Sequence, residues 1–133
     1  GIVGFAKALE IANAQFEKDS AYINGLKQYM MEQLEQHIAG VTFNGDPTGS
    51  SLYAVLSVNF PASSKSEMLL FNLDIHHICA SGGSACSSGA NAGSHVIRAI
   101  NNNPDITTVR FSFSKHNTKN EIDVVVARLK EMI

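Results

Sequence analysis

A stripe of apolar residues opens this chain and constrains it more than any other feature. Ile2, Phe5, Leu9, Ala12, Phe16, Ile23, Leu26, Met30 and Leu34 recur every three or four positions, the spacing of one face of an α-helix. The stripe predicts a helix from Ile2 to about Ile38, ended at Gly40, a residue suited to the left-handed C′ position. Asp19 takes a stripe position and Gly25 weakens the middle, so a kink or break is expected within 18–25. Unbroken, such a helix is ~54 Å long at about 1.5 Å per residue. A single domain of 133 residues has a radius of gyration of only ~14 Å, so it cannot cover both halves. The stretch from Ile2 to Phe16 is expected to pack on something else. A start at Gly1, already inside the pattern, reads as a fragment of a longer protein.

Composition limits the partners. Apolar residues make up 44% and charged residues 17%, with a net charge of −2, enough to bury a core and far from the basic footprint of a nucleic-acid binder. No apolar run approaches the ~20 residues of a membrane span, and the opening residues do not read as a signal peptide. Two cysteines are too few for a disulfide scaffold, which makes a reducing cytoplasm the expected compartment.

Beyond Gly40 the pattern predicts short alternating elements. Val41 to Asn44 reads as a strand and Gly45-Asp46-Pro47 as a turn. Leu52, Ala54, Leu56, Val58 and Phe60 form the apolar face of a second strand, which Pro61 ends. Ser64 and Glu67 form a capping box for a helix with Met68, Leu69 and Leu73 inward, ending near His76. Ile78 to Ala80 reads as a short strand. Ser94 caps a helix from His95 to Ile100, the 101–104 segment turns, and Thr108 to Phe113 alternates as a strand. Thr118 and Glu121 cap a last helix with Ile122, Val125, Val126 and Leu129 inward. The fold class is α/β, an α+β sandwich of mostly antiparallel sheet with helices packed on one side, in a single domain over 1–133.

Three residues could carry chemistry. Cys86 lies in an uncharged run of small residues from Ser81 to Gly93. It is either an incidental thiol on a surface loop or a nucleophile on an arm that is cheap to bend, its reactivity set by its thiolate fraction. Arg110 falls inside an apolar strand. It either sits on a wet face or offers its planar fork to a carboxylate. Cys79, between Ile78 and Ala80, reads as a small buried hydrophobe. A Cys79–Cys86 disulfide lacks support from the compartment. Cys79 and Cys86 beside His76 and His77 have the ligand types of a zinc site without its spacing, so no metal site is expected. The glycine-rich loop has no Gly-Lys-Ser/Thr ending and is not a nucleotide P-loop.

Taken in order, Ser84-Ala85-Cys86-Ser87-Ser88, Ser94-His95-Val96-Ile97-Arg98-Ala99, Val109-Arg110-Phe111-Ser112-Phe113, Asn117-Thr118 and Glu121-Ile122-Asp123 resemble the C-terminal small domain of a pyridoxal-phosphate-dependent cysteine desulfurase. These are fold-type I enzymes of the class V aminotransferase superfamily. The resemblance covers nearly the whole chain, and it makes the first helix the link to a large domain. It implies removal of sulfur from L-cysteine to give L-alanine and a persulfide on Cys86, with Arg110 holding the substrate carboxylate. It further implies a homodimer and a sulfur-acceptor protein, such as an iron–sulfur scaffold or a tRNA-thiolation partner. The cofactor, pyridoxal 5′-phosphate, would be held by the large domain, leaving this chain alone inactive and with no cofactor-binding residues. Nucleic acid and membrane are not among the direct partners. Ser51-Leu52-Tyr53-Ala54 replaces the family's Arg-Leu-Pro-Asn, and Asn91-Ala92-Gly93 replaces a Leu-Glu-Pro stretch. A selenocysteine lyase-like domain and a free-standing thiol or small-ligand module are the alternatives.

Overall fold

The structure, a computed structural model, describes residues 1–63, 68–82, 95–100, 103 and 106–133. The expectations that fall on Ser64, Glu67, Cys86, Ser94 and most of the 101–104 turn lie outside the described residues. The apolar stripe folds as α1, Ile2–His37, 36 residues without a break at Asp19 or Gly25. Its cap is Ile38, whose amide bonds Leu34 O, and Gly40 takes its positive φ two residues later rather than at C′.

The sheet has three strands, β1 (Thr42–Phe43), β2 (Val55–Phe60) and β3 (Thr107–Ser112), in that order and antiparallel throughout. Alternation along β2 sends Leu56, Val58 and Phe60 to one face, where each is at most 1% exposed. Val109 and Phe111 of β3 stand opposite Val58 and Leu56 on that face. The helices α1, α2 (Leu69–Ile75) and α4 (Lys119–Met132) bring Leu26, Met30, Leu34, Leu69, Leu73, Ile122, Val126 and Leu129 into the same core. Each fully buried aliphatic or aromatic side chain stabilises by roughly 1.5–3 kcal/mol. A short α3 (His95–Ile100) buries nothing. The antiparallel α+β architecture is the expected one. No described helix is long and apolar enough to cross a membrane.

Three local expectations are corrected. Strand β2 begins at Val55, and Leu52, expected on its apolar face, is exposed. Met68 points to solvent because it stands at the N-cap of α2, before the helical face is established. Ile78 to Ala80 does not form a strand: the chain meets β3 only through an isolated bridge between Ser81 and Arg110.

Helix α1 divides in two. Its second half buries Ile23, Leu26, Lys27, Met30, Met31 and Leu34. Its first half buries nothing, and Ile2, Phe5, Leu9 and Phe16 are 89%, 74%, 62% and 55% exposed. Asp19, the charge in the stripe, accepts from Lys115 Nζ at 3.1 Å, which also reaches Gln15 Oε1. Such pairs at a surface contribute about 0.2–1 kcal/mol, too little to replace a packed face. Amide hydrogen exchange on this chain is therefore expected to be fast over 2–16 and slow over 23–37. Uniform protection in a monomer would show that the first half is covered from within.

Helix α4 is fastened by a complete capping box, in which Thr118 Oγ1 accepts from Glu121 N at 3.3 Å and Thr118 N donates to Glu121 Oε2 at 2.7 Å. It crosses α1 where Tyr29 donates its hydroxyl to Asp123 Oδ1 at 2.7 Å, with Lys119 Nζ 4.6 Å over the ring. The bond to Asp123 raises the phenol pKa above its ordinary 10.0, with burial and the Asp123 and Glu32 charges adding to it. A folded pKa above the unfolded one means this contribution to stability is complete below pH 10 and fades as pH rises through the raised value. In a phenolate absorbance titration, the difference between wild type and Tyr29→Phe is expected to show a midpoint above 10.0. Asp123→Asn is expected to bring that midpoint down.

Candidate functional site

The outer face of the sheet is polar. Antiparallel register puts Ser57 opposite Arg110 and Asn59 opposite Thr108, so these four side chains share the face away from the core. Asn59 is only 4% exposed and fully satisfied. Its Nδ2 donates to Asn44 Oδ1 at 2.8 Å and to Thr42 Oγ1 at 3.3 Å. Its Oδ1 accepts from Asn44 Nδ2 at 2.8 Å and from Thr108 Oγ1 at 2.7 Å. Asn44 Nδ2 also donates to Ser57 Oγ at 3.0 Å. This network ties β1, β2 and β3 together on the face that carries Arg110, and a satisfied buried network of this kind stiffens the backbone that carries it. Sequence reading missed Asn59 because it looked like one more polar position of an alternating strand.

Arg110 is exposed on β3. Its main chain exchanges both hydrogen bonds with Ser81, at 2.7 and 3.1 Å, and its Nε donates to Ser81 Oγ at 3.1 Å. Among the described residues no carboxylate lies within ion-pair distance of it. The guanidinium is thus fixed at its base, on a braced strand, and among the described residues none bonds its terminal amino groups. Gly82 follows Ser81, and a side chain there would require Leu70 Cδ1 to move aside.

The segment between α2 and the bridge differs from expectation. The residues after α2 form a Schellman motif, with His77 N donating to Asp74 O and Ile78 N to Leu73 O, both at 2.9 Å. His77 holds the left-handed position at φ 59. The motif turns Ile78 toward the core, where it packs against the main cluster, and leaves Cys79 exposed. The expectation of a buried Cys79 is thereby corrected. Its thiol borders an open, mostly apolar hollow of ≈ 560 Å³, along with His76, His77, Phe111 and Phe113. Among the described residues no group of three or more His, Cys, Asp or Glu is placed to hold a metal.

The family model for class-V aminotransferases matches residues 1–125. The chain belongs to the aminotransferase class-V family. Among curated class-V relatives, cysteine desulfurase IscS of Dictyoglomus turgidum is 31% identical over 100% of this chain and 34% of its own length. The mitochondrial cysteine desulfurase of Arabidopsis thaliana is 35% identical over 94% of this chain and 27% of its own. A solved NifS-like protein superposes with a TM-score of 0.74 at 27% identity, covering 98% of this chain and 32% of that one. A NifS-like protein from Rickettsia africae, at 20% identity and TM-score 0.72, shares the fold. The chain spans about a third of the length of the curated relatives it matches.

Class-V membership raises the question of a lysine-bound cofactor. Lys27 is almost wholly buried on α1 and donates to Ser51 Oγ at 2.9 Å and Leu52 O at 3.1 Å. Burial lowers its pKa, with the Asp46 charge acting weakly the other way. It fastens Ser51 and Leu52 to the helix and is not free for an aldehyde. Lys7 pairs with Glu10, Lys115 with Asp19, and Lys119 lies over Tyr29. These four lysines do not fit a pyridoxal phosphate site.

His77→Gly should stabilise the protein by about 0.5–1 kcal/mol, since glycine takes a left-handed C′ position without a Cβ penalty. His77→Val should destabilise it. Urea midpoints of the two variants would check both signs.

Proposed function

We propose that this chain is the C-terminal domain of a cysteine desulfurase, one unit over 1–133, and that it contributes the nucleophile and the substrate-carboxylate ligand. The observation that carries the reading is the presentation of Arg110, fixed at Nε and at its backbone, with no described residue bonded to the end of its fork. An amino-acid substrate offers the planar anion that such a fork takes bidentately. Relatives named cysteine desulfurase along the length of the chain favour cysteine as that amino acid.

In this reading Arg110 anchors the carboxylate and Cys86, as thiolate, attacks the substrate's sulfur. The new S–S bond forms as the substrate's C–S bond breaks. Carbon keeps the electron pair and gains a proton, so cysteine becomes alanine and Cys86 becomes a persulfide with no external oxidant or reductant. Pyridoxal phosphate, held by residues outside this chain, supplies the electron sink for that cleavage. The persulfide then passes to an acceptor, an iron–sulfur scaffold or a tRNA-thiolation partner, and the working enzyme is a homodimer. The composition of the 81–93 segment, small and uncharged, suits a thiol that collects a group in one place and delivers it in another. With two cysteines, too few for a disulfide scaffold, the chain suits a reducing compartment, and the cytoplasm is the proposed location.

The test uses the full-length, pyridoxal-phosphate-loaded protein. After addition of L-cysteine, mass spectrometry should find one extra sulfur atom on Cys86 and not on the exposed Cys79. Cys86→Ala should lower turnover by up to about 10⁶-fold, the scale on which losing a nucleophile acts, and Cys79→Ala should leave it unchanged. Consumption of cysteine with Cys86 unmodified would move the chemistry to a lyase that needs no persulfide.

A further inference from the structure

Arginine presents five N–H donors in a rigid planar fork. A carboxylate can meet that fork along its side, shared between Nε and one terminal amino group, or across its end, shared between the two terminal amino groups. At Arg110 the side is taken. Ser81 Oγ accepts from Nε at 3.1 Å, and the hydroxyl is carried to that point by the two main-chain bonds of the Ser81–Arg110 bridge. Of the neighbouring hydroxyls on that face, Ser57 accepts from Asn44 at 3.0 Å and Thr108 donates to Asn59 at 2.7 Å. We propose that Ser81 is a positioning residue for Arg110, occupying Nε so that the guanidinium receives the substrate's carboxylate end-on through its two terminal amino groups.

The inference rests on Arg110 as the carboxylate ligand, and adds the residue that orients it and the direction from which the substrate is held. Physically, the bond removes freedom about the last side-chain torsions of an exposed arginine. The rotamer entropy that carboxylate binding must otherwise overcome is then lost on folding, before substrate arrives. The same bridge joins the strand of Arg110 to the residues that lead, in sequence, toward Cys86.

Ser81→Ala removes the acceptor and leaves the bridge, because both bridge bonds are made by main-chain groups. In the full-length, pyridoxal-phosphate-loaded protein, Ser81→Ala should raise KM for L-cysteine about fivefold at nearly unchanged kcat, the scale of one hydrogen bond. Ser81→Thr, which keeps the hydroxyl, should restore KM. In an Arg110→Ala background, itself strongly raised in KM, Ser81→Ala should add nothing. The NMR signal of the Arg110 Nε–H should exchange with water faster in Ser81→Ala than in wild type. A normal KM in Ser81→Ala beside a raised KM in Arg110→Ala would overturn the positioning role and leave the desulfurase reading standing. Full additivity in the double variant would do the same. An Arg110→Ala variant of normal KM, or a wild type that consumes no cysteine, would sink both together.

Discussion

The two-sided character of β2 governs the rest of the molecule. Leu56, Val58 and Phe60 are driven into the core, and the strict period of two then commits Ser57 and Asn59 to the opposite face. Antiparallel pairing extends that commitment to β3, where Val109 and Phe111 go inward and Thr108 and Arg110 outward. A slip of one residue would place a guanidinium in the core and two large apolar side chains in water. The burial of five side chains thus fixes the face on which Arg110 stands. The Asn44–Asn59–Thr108 hydrogen bonds, which match only in this register, reinforce it.

A second constraint comes from α1, which is one helix in local structure and two in packing. Its second half is core, held to α4 through Tyr29 and Asp123. Its first half continues only because each added residue of an established helix gains a hydrogen bond at little further entropic cost. Fastened at Asp19 and Gln15 by Lys115 and at Phe16 by an edge-on contact with Tyr53, it presents the apolar stripe of Ile2, Phe5 and Leu9 to solvent. Lys27 shows the same separation of local and tertiary logic. It sits on the stripe at helical spacing from Ile23, Met30 and Met31 and is buried with them. It is satisfied only because Ser51 and Leu52 bring oxygen atoms to its ammonium group.

The candidate site was legible in part. Arg110 is singled out by being charged within an apolar strand, and Thr118 with Glu121 by the capping-box spacing, both local patterns that survive folding unchanged. Cys79 was misread because its neighbours Ile78 and Ala80 look like a buried strand, whereas a Schellman turn at His77 sends Ile78 inward and the thiol out. That turn uses a left-handed histidine where sequence reasoning looks for glycine. Ser81 gave no warning at all, being one of several serines in a run of small residues. Its distinction is a contact across 29 positions of sequence.

Periodicity and composition by themselves determined the long first helix, the antiparallel α+β class, the capping box of the last helix and the standing of Arg110 as a charge within an apolar strand, because each follows from interactions among residues close in sequence or from which side chains leave water. Tertiary structure alone decided that Ser81 meets Nε of Arg110, that Asn59 closes a network over three strands, that Lys27 is buried with partners and that Cys79 is exposed. Those outcomes depend on which distant segments come within hydrogen-bonding distance. A hydrogen bond operates over about 3 Å, a scale that sequence patterns do not resolve and packing does.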